Sequence, residues 1–197
     1  MARLLLVRHA ESHGNRDRVF TATPDVPLTE RGRLQARTAA ERLALEHAPR
    51  HVVSSPFARA RETAGIIAEV LGVDVSVEPD LRERDYGTLA GLSYDTPRPD
   101  YDRERYWLWR PESGETLVEV AVRVGAVLDR VATGRAGDEV VVVSHGAVMM
   151  AAQWHVSGAW PPAGRVVPNA GLVVAEHRHG RWLGIRRLPG NEDGPLG

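Results

Sequence analysis

Residues 4–12 read LLLVRHAES, an apolar run that gives way within one residue to a polar segment. Four consecutive apolar residues bounded by polar ones are typical of a short buried strand, so Arg8 and His9 are expected where that strand ends. The apolar run Val140–Val143 is followed in the same way by His145. Because the carboxyl ends of parallel strands meet at one edge of a sheet, these two segments predict a polar site that contains Arg8, His9 and His145.

Apolar runs and amphipathic segments alternate along the rest of the chain, as in proteins that carry helices around a parallel sheet. Further buried strands are predicted at His51–Val53 and Val73–Val77, and an edge hairpin at Leu172–His177 and Arg181–Leu188. Helices are predicted over Thr29–His47 and Arg59–Leu71, after a capping box formed by Thr116 and Glu119, and from about Gly146. The pattern predicts an α/β fold with three αβα layers, in which a mostly parallel sheet carries helices on both faces. We expect a single domain over residues 1–197, ending in a loose tail at 189–197.

The composition narrows the chemistry that the chain can perform. It contains no cysteine, and all 25 basic residues are arginine. This excludes thiolate catalysis, a cysteine-bound zinc site and a phosphate loop that depends on lysine. His177 and His179 share one face of a predicted strand, but no third ligand accompanies them, so we expect an exposed hairpin there and no metal site.

Charge and hydropathy indicate the kind of partner. The formal net charge is −1, with both signs interspersed, so no basic face for nucleic acid is predicted. No apolar run approaches the roughly 20 residues of a membrane span, and the first strand starts too early for a secretory signal to precede it. We therefore expect a cytoplasmic protein that binds a small molecule, without a nucleic-acid or membrane partner. A homodimer through a sheet edge is compatible with the sequence.

The segment 86–112 differs in composition from its surroundings. All four tyrosines and two of the five tryptophans lie between residues 86 and 109, among prolines and many charged residues. Such a segment is typical of an insertion that covers a substrate, with Tyr94, Arg98 and Trp107 as candidate substrate-binding residues. The alternative is that these rings pack a long loop onto the domain. Four arginines either bind a second anionic group or are solvated: Arg98, Arg103, Arg105 and Arg110.

Two more polar residues follow predicted strands. Arg59 follows the second strand, at His51–Val53, and Glu83 follows the third, at Val73–Val77. Arg59 lies in the first turn of a predicted helix, where a cation is electrostatically disfavoured, and this indicates an anion nearby. Transfer of a phosphoryl group needs an in-line nucleophile, fixed positive charge around the phosphoryl oxygens and an acid at the leaving oxygen. The four segments that follow predicted strands supply residues of each kind.

These segments resemble the motifs of the histidine phosphatase superfamily, in the branch that includes the cofactor-dependent phosphoglycerate mutases and the smaller broad-specificity phosphatases. The resemblance covers almost the whole chain, and the motifs occur in the family's order. It rests on RHAES at 8–12 with Asn15, PLTERG at 27–32, SSPFARARETA at 54–64, LRERDYG at 81–87 and VSHG at 143–146. Ala10 stands where the family usually has glycine.

The resemblance implies a role for each of these residues. His9 would attack phosphorus and form a phosphohistidine, while Glu83 would protonate the leaving alcohol and later take a proton from water. The phosphoryl oxygens would be bound by Arg8, Arg59, Asn15 and His145, with Gly146 also in the substrate site. Permanently charged arginines would keep the histidine neutral and therefore nucleophilic. No metal and no cofactor is implied.

The residue after the second histidine bears on which carboxylate is the acid. The other branch of the superfamily has an acidic residue there, whereas Gly146 follows His145 in this chain. The acid role is therefore predicted for Glu83, with Asp85 and Glu11 as its rivals.

The predicted function is metal-independent hydrolysis of small phosphomonoesters, such as a phosphorylated metabolite, with a mildly acidic to neutral pH optimum. A phosphoglycerate-type phosphomutase would use the same chemistry, but the mutases that the chain resembles have longer insertions, so length favours the phosphatase. A third hypothesis is a phosphate-binding module without turnover, although the chain retains both His9 and Glu83. Dephosphorylation of phosphorylated proteins is a further hypothesis.

Overall fold

The computed structural model describes residues 1–21 and 23–188, and its centre is a six-stranded sheet surrounded by helices. The strands are β1 (Ala2–Arg8), β2 (His51–Ser54), β3 (Val75–Val77), β4 (Glu139–Ser144), β5 (Leu172–Arg178) and β6 (Arg181–Arg187). The helices are α1 (His13–Arg16), α2 (Glu30–Glu46), α3 (Ala58–Leu71), α4 (Leu117–Gly134) and α5 (Gly146–Ser157). The predicted tail at 189–197 lies outside the described residues.

The strand order is β3-β2-β4-β1-β5-β6. The first four strands in this order are mutually parallel, whereas β5 runs antiparallel to β1 and forms a hairpin with β6. The predicted α/β class, the mostly parallel sheet and the edge hairpin are confirmed.

Successive residues of β1 face opposite sides of the sheet, as the geometry of a strand requires. Leu4 and Leu6 pack with α4 and α5, whereas Leu5 and Val7 pack with α2 and α3, and all four side chains are fully or almost fully buried. Burial on both faces explains why this strand is apolar throughout rather than alternating. It also confirms helices on both faces of the sheet.

The predicted helices form with small changes at their ends. Thr29 caps α2 by accepting a hydrogen bond from the Gly32 backbone N–H, and Thr116 and Glu119 make the predicted capping box at α4. The helix predicted from Arg59 begins one residue earlier, at Ala58. Among the helices of residues 1–21 and 23–188, none has the length and apolar character that crossing a bilayer requires.

Two predictions about burial were wrong. The run Val73–Val77 was expected to form a buried strand, but β3 spans only Val75–Val77 and its side chains are exposed. It is the outermost strand and pairs with β2 alone, so its valines stabilise an edge rather than fill the core. His177 was expected in an exposed hairpin, but it is buried with its ring centroid 4.9 Å from that of Trp182.

Parallel registration places the ends of three strands side by side. Arg8 of β1 pairs with Ser144 of β4, and Ser54 of β2 pairs with Val143 of β4. The chain therefore leaves all three strands at the same edge of the sheet, where polar residues follow each of them. The site described below is built at this edge.

Gly32 and Gly65 lead to opposite predictions about stability. A Cβ atom at Gly32 would lie 2.1 Å from the carbonyl oxygen of Glu11, whereas a Cβ at the exposed Gly65 of α3 would meet no atom within 4 Å. We expect Gly32→Ala to lower the free energy of unfolding by about 1 to 3 kcal/mol, because the backbone must move. Gly65→Ala should raise it by about 1 kcal/mol, because alanine is the better helix former. Urea titration of both variants measures the difference, and destabilisation by Gly65→Ala would contradict the second expectation.

Candidate active site

A cavity of about 340 Å³ opens beyond the carboxyl ends of β1 and β4. Its lining includes Arg8, Asn15, Arg59, Glu83 and Gly146, which the sequence analysis had assigned to one site from distant parts of the chain. His9 and His145 lie next to these residues, at 2% and 0% exposure. The structure therefore brings together the predicted phosphate-binding and catalytic side chains.

The ring of His9 is held in one protonation pattern by its hydrogen bonds. Nδ1 lies 2.7 Å from the carbonyl oxygen of Ala10, which can only accept, so Nδ1 carries the proton. Nε2 accepts a hydrogen bond of 3.2 Å from Nε of Arg59. The unprotonated nitrogen of His9 is thus Nε2, beside a guanidinium group that lines the cavity.

Burial lowers the pKa of His9 well below its usual value, and the neighbouring charges of Arg59 and Arg8 lower it further. The pKa of His145 is lowered by burial first and then by the charges of Arg59, His9 and Arg8. Both imidazoles are therefore neutral around pH 7. A neutral imidazole has the lone pair that a nucleophile needs.

These two depressed pKa values predict how stability depends on pH. In the unfolded chain a histidine titrates near pH 6.5, so below that value the unfolded state binds more protons than the folded state. The free energy of unfolding must then fall as pH decreases through the histidine range. We expect the decrease in the free energy of unfolding to be smaller in His9→Gln and in His145→Gln than in the wild type. It is measured by urea unfolding at about pH 7.5 and about pH 5. An unchanged loss in both variants would contradict the prediction.

Arg59 is fixed at the start of α3 and points back over His9. Its Nη2 and Nη1 atoms donate to the carbonyl oxygens of Thr21 and Thr23, at 2.9 and 3.2 Å, and its side chain is almost completely buried. Arg8 donates from Nη1 to the carbonyl oxygen of Val167 at 2.8 Å. Burial lowers the pKa of both guanidinium groups, but arginine starts so far above neutrality that both stay charged. Two fixed cations with planar donors therefore flank His9.

Glu83 is held at the N-terminus of α5. Its Oε1 atom accepts hydrogen bonds from the backbone N–H groups of Arg84, at 2.9 Å, and Ala147, at 3.3 Å. A hydrogen bond of 2.6 Å from Ser144 Oγ to the carbonyl oxygen of Leu81 ties the preceding turn to β4. These contacts fix a mostly buried carboxyl group in the wall of the cavity.

The two rival carboxylates lie elsewhere. Asp85 accepts from the backbone N–H of Gly87 at 2.8 Å, and Glu11 accepts from Oγ1 of Thr29 at 2.8 Å while pairing with Arg31. Neither lines the cavity. Their contacts indicate structural roles in a turn and at the start of α2.

Asn15 is oriented by a residue that the sequence analysis did not single out. Its Oδ1 atom accepts hydrogen bonds from the Ser12 backbone N–H at 3.1 Å and from Nδ2 of Asn169 at 3.0 Å. The Asn15 side chain also forms a hydrogen bond with Tyr94, so it is held against the cavity wall. Asn169 also donates to the carbonyl oxygen of His9 at 3.0 Å, so it connects the loop before β5 to both sides of the site.

The segment 86–112 contributes aromatic walls. The cavity lining includes Tyr94 and Arg98, as predicted, and also Tyr86, Tyr101 and Tyr106. Trp107 is a correction: it does not line the cavity, because its ring stacks on Trp160 at 6.0 Å with an interplanar angle of 5°. Arg103, Arg105 and Arg110 are likewise not in the lining. Of the four arginines considered, Arg98 is placed to meet a ligand, with its guanidinium 4.4 Å from the centroid of the Tyr101 ring.

Two further arginines in the cavity wall were not anticipated, Arg18 and Arg84. Arg84 donates from Nε to the carbonyl oxygen of Glu115 and from Nη2 to that of Trp109, both at 2.7 Å. It follows Glu83 directly and thus anchors the segment 86–112 beside the carboxyl group. Within the described ranges, no three His, Asp or Glu side chains are grouped as metal ligands would be.

Known proteins are similar to this chain in sequence and in fold. The sequence model of the histidine phosphatase superfamily (branch 1) matches residues 4–187. A probable phosphoglycerate mutase GpmB from Photorhabdus laumondii is 33% identical over 191 residues, covering 93% of this chain and 88% of that protein. Phosphoglycerate mutase-like protein 4 from Arabidopsis thaliana is 38% identical over 156 residues, covering 75% and 68%. A solved structure of mycobacterial glucosyl-3-phosphoglycerate phosphatase with VO3 is similar at a TM-score of 0.83 and 28% identity, covering 96% of this chain and 98% of that one.

Proposed function

The chain belongs to branch 1 of the histidine phosphatase superfamily, and on that basis we propose that it hydrolyses small phosphomonoesters through a phosphohistidine on His9. One observation carries the proposal. The unprotonated nitrogen of His9, Nε2, contacts the buried guanidinium group of Arg59, the charge of Arg8 also acts on the ring, and the adjacent cavity has a fixed carboxyl group in its wall. A nucleophile, an anion site and an acid are thus assembled in one place.

In the first step the phosphoryl group of the substrate takes over the hydrogen bond that Arg59 makes to Nε2. A phosphoryl oxygen is the stronger acceptor for a guanidinium group, because that hydrogen bond joins opposite charges. Arg8, Asn15 and His145 bind the remaining phosphoryl oxygens. Nε2 then attacks phosphorus, a P–N bond forms, and the bond between phosphorus and the leaving oxygen breaks. The carboxyl proton of Glu83 passes to that oxygen, so that a neutral alcohol departs.

In the second step water replaces the alcohol. The Glu83 carboxylate accepts a proton from the water as its oxygen attacks phosphorus, and the P–N bond breaks with its electron pair returning to Nε2 of His9. Inorganic phosphate leaves, and Glu83 is again protonated for the next cycle. The same carboxyl group therefore serves as acid and then as base, as microscopic reversibility requires.

The size and lining of the cavity support a small organic phosphate as substrate. A cavity of about 340 Å³ lies at the lower end of the range for small-molecule sites. Aromatic rings of Tyr86, Tyr94 and Tyr106 also line the cavity. Such walls suit a leaving group with an apolar or sugar face. The similarity to a glucosyl-3-phosphoglycerate phosphatase also favours hydrolysis of a phosphorylated metabolite.

The proposal is tested by phosphate release from a panel of phosphomonoesters in the presence of EDTA. The panel contains phosphoserine, sugar phosphates, phosphoglycerates, glucosyl-3-phosphoglycerate and an aryl phosphate. We expect release by the wild-type protein that EDTA does not reduce. No release from any member would contradict the proposal. If phosphorylated compounds nevertheless raised the melting temperature, the binding-module hypothesis would take its place.

The phosphomutase alternative has a specific observation in its favour, since relatives at 33% and 38% identity carry the names of phosphoglycerate mutases. A mutase returns the phosphoryl group to a second hydroxyl and must exclude water while it does so. With phosphoglycerate and a bisphosphate primer, a mutase would isomerise its substrate faster than it releases phosphate. The proposed phosphatase would instead release phosphate faster than it isomerises the substrate.

A further inference from the structure

Ser55 and His145 form a buried pair. The proposed mechanism uses His145 but assigns no role to Ser55. Ser55 Oγ lies 2.7 Å from Nε2 of His145, and both residues are completely buried. Ser55 follows β2 directly and His145 follows β4 directly, so the adjacent strand ends bring them together. The ring centroid of His145 is 5.1 Å from that of His9. Ser55 therefore contacts Nε2 of the second histidine of the site, and the ring of this histidine is a neighbour of His9.

Counting donors and acceptors determines which partner carries the proton. Ser55 Oγ also accepts a hydrogen bond from the Phe57 backbone N–H at 3.3 Å. If Nε2 of His145 were protonated, Ser55 Oγ would accept from both neighbours, and no acceptor for its own proton is found among the residues that the structure describes. A buried hydroxyl without an acceptor is unfavourable. When Ser55 donates to Nε2 instead, both of its hydrogen bonds are satisfied.

The proton of neutral His145 then lies on Nδ1. This atom is fully buried and has no hydrogen-bond partner within residues 1–21 and 23–188. The ring centroid of His145 lies 5.1 Å from that of His9 and its Nε2 is engaged by Ser55, so Nδ1 belongs to the region where a phosphoryl group would bind. An orphaned buried donor beside two arginines is what an anion site requires.

We propose that Ser55 is a positioning residue that holds His145 in the Nδ1–H tautomer, so that Nδ1 donates a hydrogen bond to the transferred phosphoryl group. The opposite tautomer would direct a lone pair at a phosphoryl oxygen and would repel it. The role of Ser55 rests on the proposed function, because only a bound phosphoryl group gives the Nδ1 proton an acceptor. The tautomer itself is a property of the free protein and can be measured without turnover.

Long-range ¹H–¹⁵N correlation spectra of the histidine rings measure this tautomer directly. The signals of His145 are identified by their absence in His145→Gln. In the wild-type protein we expect Nδ1 to be the protonated nitrogen and Nε2 the unprotonated one. A protonated Nε2 in the wild type would overturn the proposal, and this result does not depend on the folding of any variant.

Ser55→Ala removes the donor, and Ser54→Ala is its matched control. Ser54 is the preceding residue and is equally buried, but its hydroxyl donates to the carbonyl oxygen of Ser55 and does not contact His145. We expect Ser55→Ala to move the His145 proton to Nε2 or to a mixture of tautomers, while Ser54→Ala leaves it on Nδ1. Unchanged spectra in Ser55→Ala would overturn the proposal.

Kinetics separate a positioning role from a loss of packing. We expect kcat for an aryl phosphate to fall by about 100-fold in Ser55→Ala, as when one donor to a developing negative charge is lost. The melting temperatures of the two serine variants should be similar. A kcat equal to that of the wild type, with the tautomer changed, would overturn the functional part of the proposal. Absence of activity in the wild type would instead refute the proposed function and leave the measured tautomer standing.

Discussion

Replacing His9 by alanine should abolish phosphate release, with kcat lowered by about 10⁴-fold or more. The reason is that no other nitrogen can take its place in line with phosphorus. His145, the nearest ring, has Nε2 engaged by Ser55, and the guanidinium groups of Arg8 and Arg59 are permanently protonated. The measurement is phosphate release at saturating substrate, together with labelling by a ³²P-phosphomonoester. The wild type should acquire an acid-labile, alkali-stable label typical of phosphohistidine, and the variant should not.

The matched control is His13→Ala, a partly exposed histidine at the start of α1 that does not line the cavity. It should keep kcat within a few-fold of the wild type and should label normally. Since His9 is buried, His9→Gln provides a second variant that fills the space, and its melting temperature shows whether the fold is intact. A folded His9 variant that is labelled as fast as the wild type would refute the nucleophile.

The residues at the strand ends could be predicted from the sequence, because a strand that is buried on both faces is apolar throughout. The apolar runs that become β1 and β4 end abruptly, so the residues that follow each run had to lie at the edge of the sheet. Parallel pairing then brings Arg8 next to Ser144 and thereby His9 near His145. Most of the proposed catalytic group follows from this one regularity.

The supporting residues could not be predicted, because their contacts depend on loops that carry no periodic pattern. Asn169 lies just before β5 and reaches both His9 and Asn15, which are about 150 residues away in sequence. Ser55 stands in a recognisable motif, but its neighbour Ser54 is chemically identical. Only the structure distinguishes the serine that contacts His145 from the one that contacts backbone.

Composition alone was a poor guide within the segment 86–112. Its tyrosines line the cavity, whereas Trp107 packs against Trp160 and Arg110 pairs with Glu119 of α4. The segment therefore has two kinds of ring, one set that faces the cavity and another that attaches the segment to the domain. The valines of β3 show the same limit, because a run of β-branched residues does not reveal whether its strand is central or at the edge.

Glu83→Gln should impair the enzyme in a way that depends on the leaving group. For an alkyl phosphate we expect kcat to fall by about 10² to 10⁴-fold, because the alkoxide would have to leave without a proton. For an aryl phosphate with an acidic phenol, the first step needs little help and should remain fast. Dephosphorylation still lacks its base, so a burst of phenol followed by slow turnover is expected in the variant.

The glutamine variant is a clean test because its amide oxygen can still accept from the N–H groups of Arg84 and Ala147, which fix the carboxyl group of Glu83. Asp85→Asn is the matched control for the rival acid, since the Asp85 carboxylate accepts a hydrogen bond from the backbone N–H of Gly87 and lies outside the cavity lining. It should affect alkyl and aryl phosphates equally and by less than about 10-fold, as expected of a residue that does not transfer the proton. If Asp85→Asn showed the dependence on leaving group and Glu83→Gln did not, the acid would be Asp85. Equal losses in the first-turnover release of the alcohol and of the phenol by Glu83→Gln would mean that this carboxyl group orients the substrate without protonating the leaving oxygen.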